Sequence, residues 1–422
     1  MSLEFFEALK LDFDLAGNSC IYTLPVTTWL MVMQRLSPGG KLADAVNELV
    51  HGNGRELLTP CKRVRERKIS SATGGYSQAR KRIPSEAARR VAQRTFRQLH
   101  RVGAGSGLAG RVFLLDGSSV LTACSSANAK AFPPARNQHG ESHFPVLRVC
   151  VMHHLTTGLA MAPQFGPMYG SKAASEQGLA ELLIDQLPDH SILIADRNFG
   201  VFSVVWHASR GGHQLLVRMT GQRAHALCGG AMKAGDDRKV VWRPSRDDVR
   251  AHPTLNGSEQ IEGRLIATYA ADGKEILYLF TTLEEPAESI AELYKQRWNI
   301  ETDLRSLKEQ LRLHSIQARS PQLVATELFM AIAAYNLIRA VMTEAATQIG
   351  AEPRRLSFSR CRSSFWAFAH ATANVTSQDE FESRWKVLLR SFGQCKLPKR
   401  NRPPAPRAIW HKRQNFPSRK VH

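Results

Sequence analysis

PAESIAELYKQRWNIETDLRSLKEQL, residues 286–311, is the stretch from which the rest of the chain is read. Pro286 suits the start of a helix, where its missing N–H would have no partner anyway. Ile290, Leu293, Ile300, Leu304, Leu307 and Leu311 recur at helical spacing and predict one long amphipathic helix. Tyr294, Arg297, Glu301 and Lys308 sit at offsets of 3, 7 and 14 from the tyrosine. At roughly 100° per residue they fall within an arc of about 60°. A phenol, a guanidinium, a carboxylate and an ammonium therefore share one face beside an apolar seam. Arg297–Glu301 and Glu301–Arg305 are also i,i+4 pairs, of the kind that decorate solvated helices for a few tenths of a kcal/mol. The helix alone leaves both readings open.

Upstream, two short apolar runs each meet an aspartate. RVFLLDGSSVL (111–121) reads as a buried strand closed by Asp116, and SILIAD (191–196) as a second strand ending on Asp196. An aspartate before glycine is equally a common turn residue. Between them, residues 132–145 read as a loop, and 146–165 as two strands joined at Thr156-Thr157-Gly158. Residues 175–188 read as a helix. A helix over 202–210 and a strand over 213–219 follow, then a β-rich segment, 219–285, before the long helix. His139, His143, His153 and His154 match no compact zinc spacing and are expected to be solvent-side or core residues.

The pattern Y-x2-R-x3-E-x6-K at Tyr294, Arg297, Glu301 and Lys308 resembles the signature of the IS-four (insertion sequence four) family of DDE transposases. DGSS at Asp116 and ADRNFG at Asp196 resemble that family's first and second acidic motifs, across about residues 111–339. The resemblance implies an α/β, RNase H-like mixed sheet flanked by helices, with the β-rich insertion at 219–285. It implies that Asp116, Asp196 and Glu301 are the catalytic carboxylates and hold two Mg²⁺ or Mn²⁺ ions, with Asp116 shared between them. Hard oxygen ligands suit such ions. Tyr294, Arg297 and Lys308 would hold DNA phosphates. The activity implied is cut-and-paste transposition on double-stranded DNA, at terminal inverted repeats and at a target, by a homodimer in a synaptic complex. The family's flipped-base aromatic is not carried over. Trp242 and Trp298 match no typed position and are expected to pack.

Composition agrees with a DNA partner. The 422 residues carry 57 Lys and Arg against 37 Asp and Glu, a net charge of +20. Residues 60–101 hold 13 basic and 2 acidic side chains, 394–422 hold 9 and none, and the rest balances 35 against 35. Two basic segments flanking a neutral middle point to a polyanion. The proline-rich tail is expected to add salt-sensitive affinity. The order of elements suggests a helical DNA-binding domain over 1–105, a catalytic domain over 106–345 and a helical segment with a basic tail over 346–422. GAGSG (103–107) reads as a linker. Seven scattered cysteines without a C-x2-C pair argue against zinc fingers and disulfide scaffolds and fit a reduced cytosol, and the family resemblance implies a bacterial cytoplasm, close to the nucleoid. The N-terminus has acids inside its apolar part, unlike a signal peptide. The apolar run 328–342 is broken by Asn336 and Arg339 and is expected to be a core helix, so no membrane partner is expected. Two rivals remain open: an inactive, domesticated DNA-binding relative, and a metal-dependent nuclease on the same fold.

Overall fold

The apolar runs before the two aspartates become adjacent parallel strands in the computed structural model, which describes residues 2–15, 21–58, 61–66, 68–103, 105, 107–138, 140–252, 254–270, 273, 275–372 and 375–398. Ten strands occur among the described residues. They are β1 (Val112–Thr122), β2 (Pro134–Asn137), β3 (Gly140–His154), β4 (Gln164–Pro167), β5 (Ile192–Ala195), β6 (Gln214–Met219), β7 (Asp237–Trp242), β8 (Ile261–Tyr269), β9 (Ile276–Thr281) and β10 (Ser315–Ile316). The chain divides into two compact units. One comprises Ala104–Ser119 and Leu147–Leu304, and the other Met1–Gly103, Val120–Val146 and Arg305–His422.

The first unit is a mixed sheet in the order β3-β1-β5-β6-β9-β8-β7. β1, β5 and β6 run parallel, and β6, β9, β8 and β7 are successively antiparallel. The parallel strands are continuously apolar because both faces are covered. On one face Val112, Leu114, Ile192, Ile194, Leu216 and Leu279 pack with Ile290, Tyr294 and Ile300 of the 286–311 stretch. Side chains alternate along a strand, so Phe280 faces the opposite way from Leu279. There Trp242 stands between the rings of Phe280 (5.1 Å) and Phe202 (5.8 Å), the first residue of the helix Phe202–Arg210. Helices therefore cover both faces. Trp242 packs, as expected. Segment 219–285 lengthens this same sheet through β9 and β6 (Leu216↔Thr281, Val217↔Phe280), and carries two short helices besides its three strands.

The second unit is mainly helical. Leu24–Leu36, Leu42–Val50, Gly74–Arg82 and Ser85–Gly103 join Pro321–Gln348, Phe358–Thr372 and Gln378–Gly393. Pro321–Gln348 is long and apolar enough to cross a membrane, but 89% of its most apolar window is buried inside the protein, so it is a core helix. Its Glu327 accepts from Arg35 Nη2 (2.5 Å) and from Arg80 Nη2.

Three local expectations change. β1 does not close at Asp116 but runs on to Thr122, because its far end gains a new parallel partner (Leu121↔Ser315, Thr122↔Ile316). The supposed loop 132–145 contains a hairpin, β2 against the start of β3 (Pro134↔Pro145, Asn137↔Gly140), which supplies its backbone with partners. The long helix is not uniform. It is α-helical over Ala287–Lys295, tightens to 3₁₀ over Gln296–Trp298, resumes over Asn299–Arg305 and widens to a π turn over Ser306–Gln310. Turns of three and of more than four residues rotate side chains by different amounts, so an ideal 100° wheel does not hold across it. His139, linker residues 104 and 106, and the tail from 399 lie outside the described residues.

Candidate active site

Strand register brings the first charged residues together. Leu115 pairs with Ala195, and Ala195 with Val217. One step further along the three parallel chains stand Asp116, Asp196 and Arg218. By alternation they share the side of Leu114, Ile194 and Leu216, the side covered by Ile290, Tyr294 and Ile300. The apolar alternation that buries this helix thus aims two aspartates and an arginine toward it.

The electrostatics agree with that placement. Burial pushes the Asp116 carboxyl up to about 6, and the negative charges of Asp196 and Glu301 push the same way. The Gly117 N–H, 2.8 Å from Oδ1, and Arg297 oppose them. Burial also pushes the Tyr294 phenol up to about 12, against the pull of Arg297 and Arg218. Asp116, Asp196, Glu301, Tyr294, Arg297 and Arg218 therefore act on one another within one unit. Asp196 Oδ1 accepts from the Asn198 N–H at 2.9 Å.

Arg297 is 9% exposed, with Nη2 3.9 Å from Glu301 Oε1 and its guanidinium 5.0 Å from the Trp298 ring centre. Its Nε is buried with no hydrogen-bond partner. Trp298 departs from expectation. It is 51% exposed rather than packed, since the tightened turn Gln296–Trp298 sets it outside the core. Lys308 lies in the other compact unit, on the π turn, where its carbonyl accepts from the His314 N–H at 3.3 Å.

Three contributors went unread in the sequence. Arg218 was legible in principle, as the first charge after the apolar run of β6. Glu176 gave no local signal, and Asn198 stands inside the ADRNFG run, which by itself does not tell its partner: Asn198 Nδ2 donates to Glu176 Oε2, joining the loop after β5 to the helix Glu176–Ile184. His153 and His154 are fully buried, as core residues should be.

Carboxylate oxygens, the donors that hard divalent cations take, are what this sheet face and its helix offer. Among the described residues no three His, Cys, Asp or Glu side chains gather around one point. Asp196 and Glu301 nevertheless both repel the Asp116 carboxylate, which Arg297 and the Gly117 N–H offset only in part. Pairs of carboxylates drawn from such a set suit hard cations.

The sequence matches the family described as "Transposase DDE domain" over residues 107–337. It is 27% identical over 404 residues to the Transposase InsG for insertion sequence element IS4 of Escherichia coli (strain K12), covering 92% of this chain and 84% of that protein. Shorter matches are to the y4zB protein of Sinorhizobium fredii, 38% identical over 95 residues (22% of this chain, 27% of that one), and to a protein named for insertion sequence element IS5377 of Geobacillus stearothermophilus, 29% identical over 97 residues (23% and 26%).

Proposed function

The chain belongs to the transposase DDE domain family, and from that premise we propose that it is a cut-and-paste DNA transposase of the IS-four type. The observation that carries this reading is the shared register level of Asp116 and Asp196 on the sheet face covered by the helix of Glu301. Asp116 and Asp196, and Asp116 and Glu301, would hold two Mg²⁺ or Mn²⁺ ions. When bound, such ions supply an activated water or 3′-hydroxyl and neutralise the leaving oxygen of an in-line phosphoryl displacement.

The chain's own groups prepare the phosphate. Arg297 offers a buried donor and a planar fork suited to phosphate oxygens. Arg218 adds a second cation at the level of the aspartates. Tyr294, kept protonated by burial, donates its O–H. Tyr294, Arg297 and Glu301, with Lys308 seven residues further along the sequence, make up the YREK-type signature, in which Lys308 would add a point charge. The parallel strands that lead to Asp116 and Asp196, and the helix that carries Glu301, support an RNase H-like reading of the fold. The substrate is double-stranded DNA at the terminal inverted repeats and at a target, bound by a homodimer in a synaptic complex. The basic segments 60–101 and 394–422 add sequence-independent affinity. The protein would work in the bacterial cytoplasm, close to the nucleoid.

The test uses a labelled duplex carrying the element's end, with Mg²⁺, Mn²⁺ or EDTA, comparing wild type with Glu301→Gln. Metal-dependent cutting by the wild type, DNA binding without cutting by the variant, and joining of the cut 3′ end to target DNA are the expected results. Cutting without joining would make the protein a nuclease. Binding by both proteins without cutting under any metal would make it a DNA-binding relative.

A further inference from the structure

Gly117 follows Asp116 directly, yet its backbone is not left-handed, so conformational freedom does not explain the glycine. Space does. A Cβ at this position would stand 2.7 Å from both Cδ and Oε1 of Glu176. The Glu176 carboxylate therefore lies on the bare backbone next to the first aspartate. From that seat its Oε2 accepts from Asn198 Nδ2. Asn198 is gripped again by Gln177, whose Nε2 donates to the Asn198 carbonyl at 2.9 Å and to Oδ1 at 3.2 Å. The Asn198 backbone N–H in turn holds Asp196 Oδ1. Cys150 Sγ, which donates to the Glu176 carbonyl at 3.6 Å, feels Glu176, Asp116 and Asp196 together, so the three acids lie in one neighbourhood.

We infer that Glu176 is a positioning residue for Asp196: seated over Gly117, it holds Asn198, and Asn198 holds the Asp196 carboxylate at a fixed place beside Asp116. The inference rests on the reading of Asp116 and Asp196 as the catalytic aspartates. It assigns a role to a side chain outside the three typed motifs and gives the glycine after Asp116 a reason of its own. Outer groups that orient metal-binding carboxylates commonly matter roughly 10–100-fold in metal affinity or activity.

The test compares Glu176→Ala, Glu176→Gln, Asn198→Ala, Gly117→Ala and the double variant Gly117→Ala/Glu176→Ala in the full chain. Single-turnover cleavage, DNA affinity and Mn²⁺ binding by electron paramagnetic resonance are measured, with thermal melts as the folding control. Glu176→Ala and Asn198→Ala should lose roughly 10–100-fold in cleavage and in Mn²⁺ affinity, with DNA affinity unchanged. Glu176→Gln keeps an acceptor oxygen and should stay close to wild type. Gly117→Ala should match Glu176→Ala and add nothing in the Glu176→Ala background. If Glu176→Ala does not fold, Asn198→Ala, at an exposed position, decides the matter. The inference is overturned if these variants bind Mn²⁺ and cut as wild type, if Glu176→Gln is as impaired as Glu176→Ala, or if Gly117→Ala costs the same in both backgrounds. Asp116→Asn and Asp196→Asn separate the levels. If they cut normally, the catalytic reading itself fails. If they are dead while Glu176→Ala and Asn198→Ala are silent, only the positioning role falls.

Discussion

Asp303 Oδ2 stands 3.7 Å from His153 Nδ1, and neither side chain is exposed. The pair fastens the Asn299–Arg305 helix to β3 two residues from Glu301. His153 Nδ1 also lies 3.1 Å from the Gly158 carbonyl and keeps that partner when Asp303 is removed, so what is lost is one buried polar contact. Asp303→Ala should therefore cost roughly 1–3 kcal/mol in denaturant unfolding. It should lower cleavage more than DNA binding, because the helix that carries Glu301 loses its fastening. Equal losses in both would show that the pair only supports the fold.

Asp116 gives a pH-dependent prediction. Its carboxyl is raised to about 6, so its contribution to stability is full below its ordinary value near 4 and is lost as pH rises through 6. In EDTA at pH 7.5, Asp116→Asn should be more stable than wild type by up to about 3 kcal/mol. The two should converge below pH 4. Adding Mn²⁺ should raise the melting temperature of wild type and not of the variant. Scanning calorimetry across pH 4–8 reads both effects, and a variant no more stable at pH 7.5 would remove the argument from carboxylate repulsion.

Arg218 is held by Glu275 of the β8–β9 connection. Arg218→Ala should weaken DNA binding and flatten its salt dependence by about one unit of slope. Glu275→Gln releases the guanidinium and should strengthen binding severalfold at low salt. Both changes should leave stability within about 1 kcal/mol, since the pair is partly solvated. Filter binding over a salt series distinguishes this from a purely structural ion pair, which would leave the slope unchanged.

Glu327 serves two arginines at once, Arg35 and Arg80, with all three side chains nearly buried. Glu327→Ala strands both guanidinium groups and should cost roughly 3–5 kcal/mol. Urea unfolding should show the loss. Replacing all three residues with apolar side chains of similar volume should recover most of it.

The sequence by itself determined the elements and their polarity. Apolar runs of strand length before Asp116 and Asp196, the seam of Ile290, Leu293 and Ile300, and the turn at Thr156-Thr157-Gly158 were all legible. Each is a local pattern set by burial of one face, and each aspartate is simply the first charge after such a run. Only the tertiary structure decided which runs are neighbours and at what register. Asp116, Asp196 and Arg218 share a level because β1, β5 and β6 pair across gaps of tens of residues, and no periodicity within a strand encodes that offset. The same holds for Gly117, whose missing side chain makes room for a glutamate 59 positions away. It holds for the tightened and widened turns that expose Trp298, and for the hairpin hidden in 132–145. Local chemistry fixes what a segment can become. The long-range hydrogen bonds and close packing that choose among those options form only when distant segments meet.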